Sequence, residues 1–333
     1  MKLVFFGTPQ FAVPSLGRLL AEPEMEVLAV VTQPDKRRGR GNALSSSPVK
    51  AMAERHGLQI WQPARIKKDV LTLESLRLLH ADAFVVVAYG QILSSEILAM
   101  PRLGCINAHG SLLPDYRGAA PIQWSLVHGH KETGITTMLM DEGMDTGAML
   151  LKGSTPIGLM DTAVDVAEVL ALQAGELLLE TLQGLDNETL TPTPQDDTIA
   201  TYAPLIKKAD YNLDFGQSAI ALHNQIRGFY PNCVATFQEQ PLKVLGTAPL
   251  GVVDDQLPEE LQAQASVWQA IDADAPPGTV VGLLKNWGAI VQTGDGLLLL
   301  REVKPAGKRA QSGWDFVNGN RLQVGDPISN GET

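Results

Sequence analysis

Cysteine is nearly missing from this chain: Cys105 and Cys233 are the only two, and there is no CxxC. Neither a disulfide framework nor a cysteine zinc site is expected, which fits a reducing cytosol. Long apolar runs are missing too. The opening MKLVFFGTP breaks at Gly7-Thr8-Pro9 and is too short for a signal peptide. No stretch approaches the roughly 20 apolar residues that span a bilayer. A cytoplasmic protein with no membrane partner is expected. Nucleotide-binding glycine patterns fail as well. Gly39-Arg-Gly41 is not followed by a third glycine, and the first turn, GTPQFA, lacks the pyrophosphate glycines. A nicotinamide-dependent oxidoreductase is therefore disfavoured, and there is no GxxxxGK[ST] loop and no HExxH. Positive charge is in deficit, with 26 Lys+Arg against 37 Asp+Glu. A net charge of −11 argues against a protein that coats nucleic acid with its whole surface. A local basic site stays open, because screening confines such effects to about 10 Å.

What is present has the order of an α/β protein. Leu3–Phe6, Val27–Thr32, Ala83–Ala88 and Cys105–His109 are short apolar strand runs, and helical patterns lie among them. One helix enters at Ser47-Pro48, a start signal. Apolar strands alternating with helices predict a doubly wound, mostly parallel sheet covered on both faces. Ile135–Met140 and Ala148–Lys152 add two strand candidates, and a helix is expected at about 161–183. A chain of 333 residues exceeds one ordinary core, so two domains are expected. Residues 1–188 form the first, and the polar, proline-bearing stretch 189–208 reads as a linker. Residues 209–333 carry period-2 signals, including a hairpin around Gly294-Asp-Gly296, and predict a small β-barrel or sandwich. Residues 250–277 hold six acids, three prolines and no Lys or Arg, and read as an exposed insertion or mobile loop.

The densest candidate for chemistry is GCINAHGSLLPDYRGAAPIQ, residues 104–123. On a strand, Asn107 and His109 share a face. Both precede a Gly/Pro-rich loop at the strand's carboxyl end, where open α/β sheets bind ligands. A turn-capping Asn and a satisfied interface His explain the same spacing. A second loop, Asp141-Glu-Gly-Met-Asp-Thr-Gly147, holds three carboxylates. It is either a solvated turn or the source of a carboxylate that faces His109. It lacks EF-hand spacing, so calcium is not expected. His128-Gly-His130 reads as a helix-end turn, and no metal site is expected.

These residues also carry a resemblance. Val4-Phe-Phe-Gly-Thr-Pro-Gln-Phe-Ala12, Val85-Val-Val-Ala-Tyr-Gly-Gln-Ile-Leu93 and Asn107-Ala-His-Gly-Ser-Leu-Leu-Pro114 stand in order. Arg117-Gly118 and Pro121, Asp141 to Gly147, Lys304-Pro-Ala-Gly-Lys308 and Phe316-Val-Asn-Gly319 follow. Together they resemble the methionyl-tRNA formyltransferases over nearly the whole chain. The resemblance implies a formyltransferase-type, Rossmann-like catalytic domain followed by an OB-like barrel that binds tRNA. It implies formyl transfer from 10-formyltetrahydrofolate to the α-amino group of methionine on initiator methionyl-tRNA. It places catalysis on Asn107, His109 and Asp145. Folate contact falls on Ser111, Leu112, Leu113 and Pro114, with Tyr89, Gly90, Gln91 and Ile92 offering backbone groups and an apolar wall to the pterin. The chemistry suits such residues. A neutral amide can hold the charge that builds on the formyl oxygen, and an imidazole beside a carboxylate can move a proton. A monomer without a metal is expected.

The basic stretch gains a reading from the same resemblance. Lys36, Arg37, Arg38 and Arg40 place four charges in five positions within an insertion at 34–48. In the family this loop meets the tRNA acceptor end, and Arg40 matches its key arginine. Arg suits bidentate phosphate contacts, and the flanking glycines let the loop close on a strand. Residues 211–333 are net −5, yet residues 301–321 are net +3 and contain Lys304, Lys308 and Arg309. Positive charge thus gathers in two patches. Asp115, the 227–233 stretch RGFYPNC and the long acidic insertion depart from the family pattern. The alternative is another 10-formyltetrahydrofolate-dependent formyltransferase, acting on an amino sugar or a nucleotide-linked amine. It would keep residues 107, 109 and 145 without needing the basic loop.

Overall fold

The computed structural model of the chain describes residues 1–38, 43–272 and 274–332. They form two compact units. The first is Met1–Pro121, Glu132–Thr155 and Ala167–Ala203; the second is Ile122–Lys131, Pro156–Val166 and Pro204–Thr333.

Up to Ala203 the strands are β1 (Lys2–Gly7), β2 (Glu26–Val31), β3 (Lys36–Arg38), β4 (Ala43–Ser45), β5 (Gln59–Trp61), β6 (Ala83–Val87), β7 (Cys105–His109), β8 (Arg117–Gly118), β9 (Glu132–Leu139), β10 (Met149–Pro156) and β11 (Tyr202–Ala203). The helices up to residue 186 are α1 (Val13–Leu20), α2 (Pro48–Arg55), α3 (Val70–Leu78), α4 (Ser95–Leu98), α5 (Pro121–Val127) and α6 (Ala163–Asp186). The main sheet runs β10-β9-β7-β6-β1-β2-β5. Its pairings β5/β2, β2/β1, β1/β6 and β6/β7 are parallel, and β9 joins β7 antiparallel. From β1 the chain builds outward to β2 and β5, then returns to place β6 and β7 on the other side. That reversal creates a crevice at the carboxyl ends of the central strands.

The apolar runs are buried as their composition requires. Every residue of β6 is buried, and so are Leu3 to Phe6 of β1. In β7 only Asn107 is half-exposed. Helix α6 buries Leu170, Ala174, Leu178 and Leu182, an i, i+4 stripe. Ser47 caps α2 by accepting a hydrogen bond from the Lys50 N–H, with Pro48 in the first turn.

In the second unit the strands are β12 (Val234–Phe237), β13 (Gln240–Leu250), β14 (Val280–Leu284), β15 (Gly288–Gln292), β16 (Leu297–Pro305) and β17 (Gln311–Ser312). They form an antiparallel sheet in the order β12-β13-β16-β15-β14, with β17 on β16. The residues after 323 join its two edges. Ser329 exchanges backbone hydrogen bonds with Thr236 on β12, while Asp326 O and the Ile328 N–H bond Val280 and Gly278 at the β14 edge. Helices α7 (Ala219–Gly228), α8 (Glu259–Gln262), α9 (Ala265–Gln269) and α10 (Gly313–Asn320) complete the unit.

The acidic stretch 250–277 departs from expectation. It holds α8 and α9, and Leu257, Leu261 and Trp268 are buried against Leu250, Leu284, Ile290 and Leu299. Five of its six acids are exposed and the sixth, half-buried Asp254, accepts from Trp268 Nε1, while three apolar residues at near-helical spacing cover one side of the sheet. Among the described residues, no helix is long and apolar enough to cross a membrane.

Candidate active site

Strand β7 delivers the first two groups. Asn107 and His109 are two residues apart at its carboxyl end, and β9 pairs alongside with Met138 and Thr136 opposite them. Among the described residues, the Asn107 side-chain amide has no hydrogen-bond partner. His109 is buried, and its Nε2 lies 2.9 Å from the Tyr116 carbonyl. A carbonyl only accepts, so Nε2 is the donor and Nδ1 is the nitrogen left facing the loop that carries Asp145. Nδ1 faces Asp145 Oδ2 at 3.6 Å.

Asp145 comes from the loop between β9 and β10. Its φ is +55°, a left-handed backbone that non-glycine residues seldom adopt. Its Oδ2 accepts from the Gly118 N–H at 2.8 Å. Gly118 has φ +119°, and a Cβ there would stand 2.7 Å from the Ala203 carbonyl. Only glycine fits where β8 lies against β11 and still presents its N–H to the carboxylate.

Loop 111–114 is braced rather than open. Thr136 Oγ1 donates to the Ser111 carbonyl and accepts from the Leu113 N–H. The Ser111 hydroxyl donates to the Asp115 carbonyl, and the Lys152 ammonium donates to the Leu113 carbonyl. Ser111 and Leu113 are buried, while Leu112 and Pro114 are half-exposed. The segment after β6 is braced as well. The Tyr89 carbonyl accepts from Thr8 Oγ1 and Gln33 Nε2, and the Gly90 carbonyl accepts from Gln33 Nε2. The Gln91 side chain is spent on Ile66 N–H and the Pro63 carbonyl. The Tyr89 ring is buried in the core, edge-on to Phe6 at 5.5 Å. Ile92 remains exposed.

Arg117 belongs to a motif that assigned it no role. It is one of the largest fully buried side chains, and it bonds Gln195 and Asp197. Burial alone would lower its pKa, but the hydrogen bonds to Asp197 and Tyr202 outweigh that and raise it, so it stays charged. Thr136, Lys152 and Gln195 join the site without having been expected there. A Thr in a strand and a Gln in a polar stretch give no local signal.

The thiols are not candidates. Cys105 and Cys233 are buried, and burial pushes both up to about 12. Among the described residues, no cluster of His, Cys, Asp or Glu could hold a metal ion.

The basic residues lie on exposed elements. Strands β3 and β4 pair antiparallel as a hairpin, with Lys36 opposite Ser45 and Arg37 opposite Leu44. Lys36 and Arg37 are exposed. Arg40 and the Arg38 side chain lie outside the described residues. Asp35 anchors the hairpin base through Lys50 at 2.6 Å and Gln62 at 2.8 Å. Lys304, Lys308 and Arg309 are exposed at the end of β16 and the turn after it.

Residues 1–182 match the formyl transferase family, and residues 205–321 match the formyl transferase C-terminal domain. A methionyl-tRNA formyltransferase of Trichormus variabilis is 63% identical over 333 residues, covering 99% of this chain and 100% of that protein. The chain belongs to the methionyl-tRNA formyltransferase family. A second member, from a Nostoc species, is 60% identical over 341 residues, with 99% of this chain and 100% of that protein covered. Among solved structures, WlaRD is a sugar 3N-formyl transferase crystallised in the presence of dTDP and 5-N-formyl-THF. It aligns with TM-score 0.63 over 93% of this chain and 99% of that one, at 18% identity. That likeness is one of fold. The doubly wound sheet followed by an antiparallel sheet unit is the arrangement expected of the family.

Proposed function

We infer that the chain transfers the formyl group of 10-formyltetrahydrofolate to the α-amino group of methionine on initiator methionyl-tRNA. The observation that carries the acceptor is full-length identity of 63% to a protein named for that activity. The reaction class is supported by the site itself: an uncommitted amide, an imidazole and a carboxylate at the carboxyl edge of a parallel sheet.

10-Formyltetrahydrofolate supplies an activated formyl group. The residues present suit it, because Asn107 is a neutral donor with no partner to give up among the described residues. Its amide N–H stabilises the negative charge that builds on the formyl oxygen. His109, with Nε2 committed to Tyr116, works through Nδ1 beside Asp145. The His109–Asp145 pair takes the proton that the attacking amine releases and returns one to N10 of the leaving folate. No covalent bond to the enzyme forms. Half-exposed Leu112 and Pro114, with exposed Ile92, are the side chains left to contact the folate. Ser111, Leu113, Tyr89, Gly90 and Gln91 act on the folate side by holding the backbone in place.

In this reading, residues 1–188 are the folate-binding catalytic domain, 189–208 the link, and 209–333 the tRNA-binding domain. Lys36, Arg37, Arg38 and Arg40 bind tRNA from the first domain; Lys304, Lys308 and Arg309 bind it from the second. The protein acts as a monomer in the cytoplasm.

The test is turnover with 10-formyltetrahydrofolate on methionine-charged initiator tRNA, the same tRNA uncharged, and free methionine. Formylation of the charged tRNA alone is expected. Turnover on an amino sugar and not on the charged tRNA would overturn the acceptor while leaving the reaction class.

A further inference from the structure

Gln195 lies in the polar stretch that follows α6, fifty residues from Asp145. Its amide is used at both ends. Oε1 accepts from Arg117 Nε at 3.0 Å and from the second guanidinium nitrogen at 2.9 Å. Nε2 donates to the Asp145 carbonyl and to the Gly147 carbonyl, each at 2.8 Å. The orientation of the amide is settled by its partners, since a guanidinium only donates and a carbonyl only accepts. Of the side chains, only Gln has this reach with an acceptor and two donors on one planar group.

The two carbonyls flank Thr146, directly after the left-handed Asp145. A non-glycine residue stays in that region only where its surroundings hold it there. Two hydrogen bonds from Gln195 to the backbone and one from the Gly118 N–H to the carboxylate act on it, and the Thr146 hydroxyl, bonded to Asp141, ties the next residue. Gln195 is itself locked by buried Arg117, whose Nη2 donates to Asp197 at 2.7 Å as well as to Gln195. Without the Gln195 donors the Asp145 and Gly147 carbonyls lose both side-chain partners, and only the Gly118 N–H and the Thr146–Asp141 contact are left to keep the carboxylate toward His109 Nδ1.

We propose that Gln195 is a positioning residue, fixing the Asp145 backbone in the conformation that aims its carboxylate at His109. This rests on the reading of Asp145 as catalytic. Arg117 and Asp197 extend the same chain of contacts, so a stretch with linker composition forms part of the active-site scaffold.

Gln195→Glu separates this role from simple attachment of the segment. It keeps the acceptor for Arg117 but sets a carboxylate oxygen against two carbonyls. Full-length protein is assayed with 10-formyltetrahydrofolate and methionine-charged initiator tRNA, alone and in an Asp145→Asn background. The expected result is a kcat loss on the order of 10²-fold, the scale of an ångström-level misplacement, with both KM values little changed. In the Asp145→Asn background the same substitution should cost less than about twofold, because the group it positions is already neutralised. An equal loss in both backgrounds, or a kcat within about threefold of wild type, overturns the proposal while Asp145 keeps its role. Near-normal turnover in Asp145→Asn alone instead removes the role of Asp145, and the proposal with it. If Gln195→Glu does not fold, the similarly sized Gln195→Met is read by the same two comparisons.

Discussion

Asn107 and His223 show opposite uses of a polar side chain. Asn107 has no hydrogen-bond partner among the described residues, at a point where almost everything around it is buried. An amide left free on a strand end costs little while water reaches it and gains most when charge develops beside it. Asn107→Ala should therefore reduce kcat by about 10²–10³-fold, the scale set by loss of one such donor, with the melting temperature unchanged. Steady-state turnover beside a thermal scan checks both halves. His223, by contrast, is buried and fully paired. Its Nε2 donates to the Leu159 carbonyl and its Nδ1 accepts from Thr247 Oγ1. Burial, with Arg227 and Arg301 adding to it, lowers its pKa to about 4 against the Leu159 hydrogen bond. Below about 6.5 the unfolded chain binds a proton that the folded chain excludes. Stability from this group is complete above that pH and falls as pH drops toward 4, by at most about 3 kcal/mol. Denaturant titrations between pH 4 and 7 should show a steeper acid decline for wild type than for His223→Gln.

At the scale of elements, the contrast is between segments whose burial is written in their own composition and segments held by distant partners. The Ser-Pro entry of α2 and the apolar runs of β1, β6 and β7 need nothing beyond local pattern, and each forms where expected. The acidic stretch 250–277 looks solvated because its charges dominate its composition. Leu257, Leu261 and Trp268 nevertheless fall on one side, at spacings of four and seven, and that periodicity was the available signal. Leu261→Ala should cost about 2–5 kcal/mol, as for a buried leucine in a core, measured by urea unfolding. A cost below about 0.5 kcal/mol would return the stretch to the status of an exposed loop. Stretch 189–203 is the converse. It has no apolar period of its own, and its order comes from β11 pairing with β8 and from Gln195 and Asp197 on Arg117.

For the whole molecule, the sign of the charge balance decides less than its placement. A net charge of −11 repels RNA in general, so any affinity must come from local groups. Exposed Lys36 and Arg37 on the β3–β4 hairpin and exposed Lys304, Lys308 and Arg309 in the second unit are such groups. Replacing Lys36 and Arg37 by Ala should weaken tRNA use. It should also flatten the dependence of log affinity on log salt by about 0.7–0.9 for each phosphate that is no longer neutralised. Binding measured across a salt series reads this directly. An unchanged slope would remove the hairpin from the tRNA surface.

The residues proposed to carry the reaction stand out in the sequence because their signals are local. Asn107 and His109 share a strand face by period two. The Gly-rich loop carrying Asp145 is marked by composition and by its likeness to the family. Local pattern could not decide which carboxylate meets the imidazole, which nitrogen of His109 is free, or that the Tyr89 ring turns into the core. Those depend on partners brought in by the fold, such as Tyr116, Gly118 and Phe6. The sequence by itself determined which apolar runs form the central strands and which residues are candidates for chemistry, since periodicity is a property of neighbours along the chain. Only the tertiary structure decided how Asp145 is held, because a left-handed backbone and an Arg117–Gln195 contact are satisfied by groups brought together through the fold.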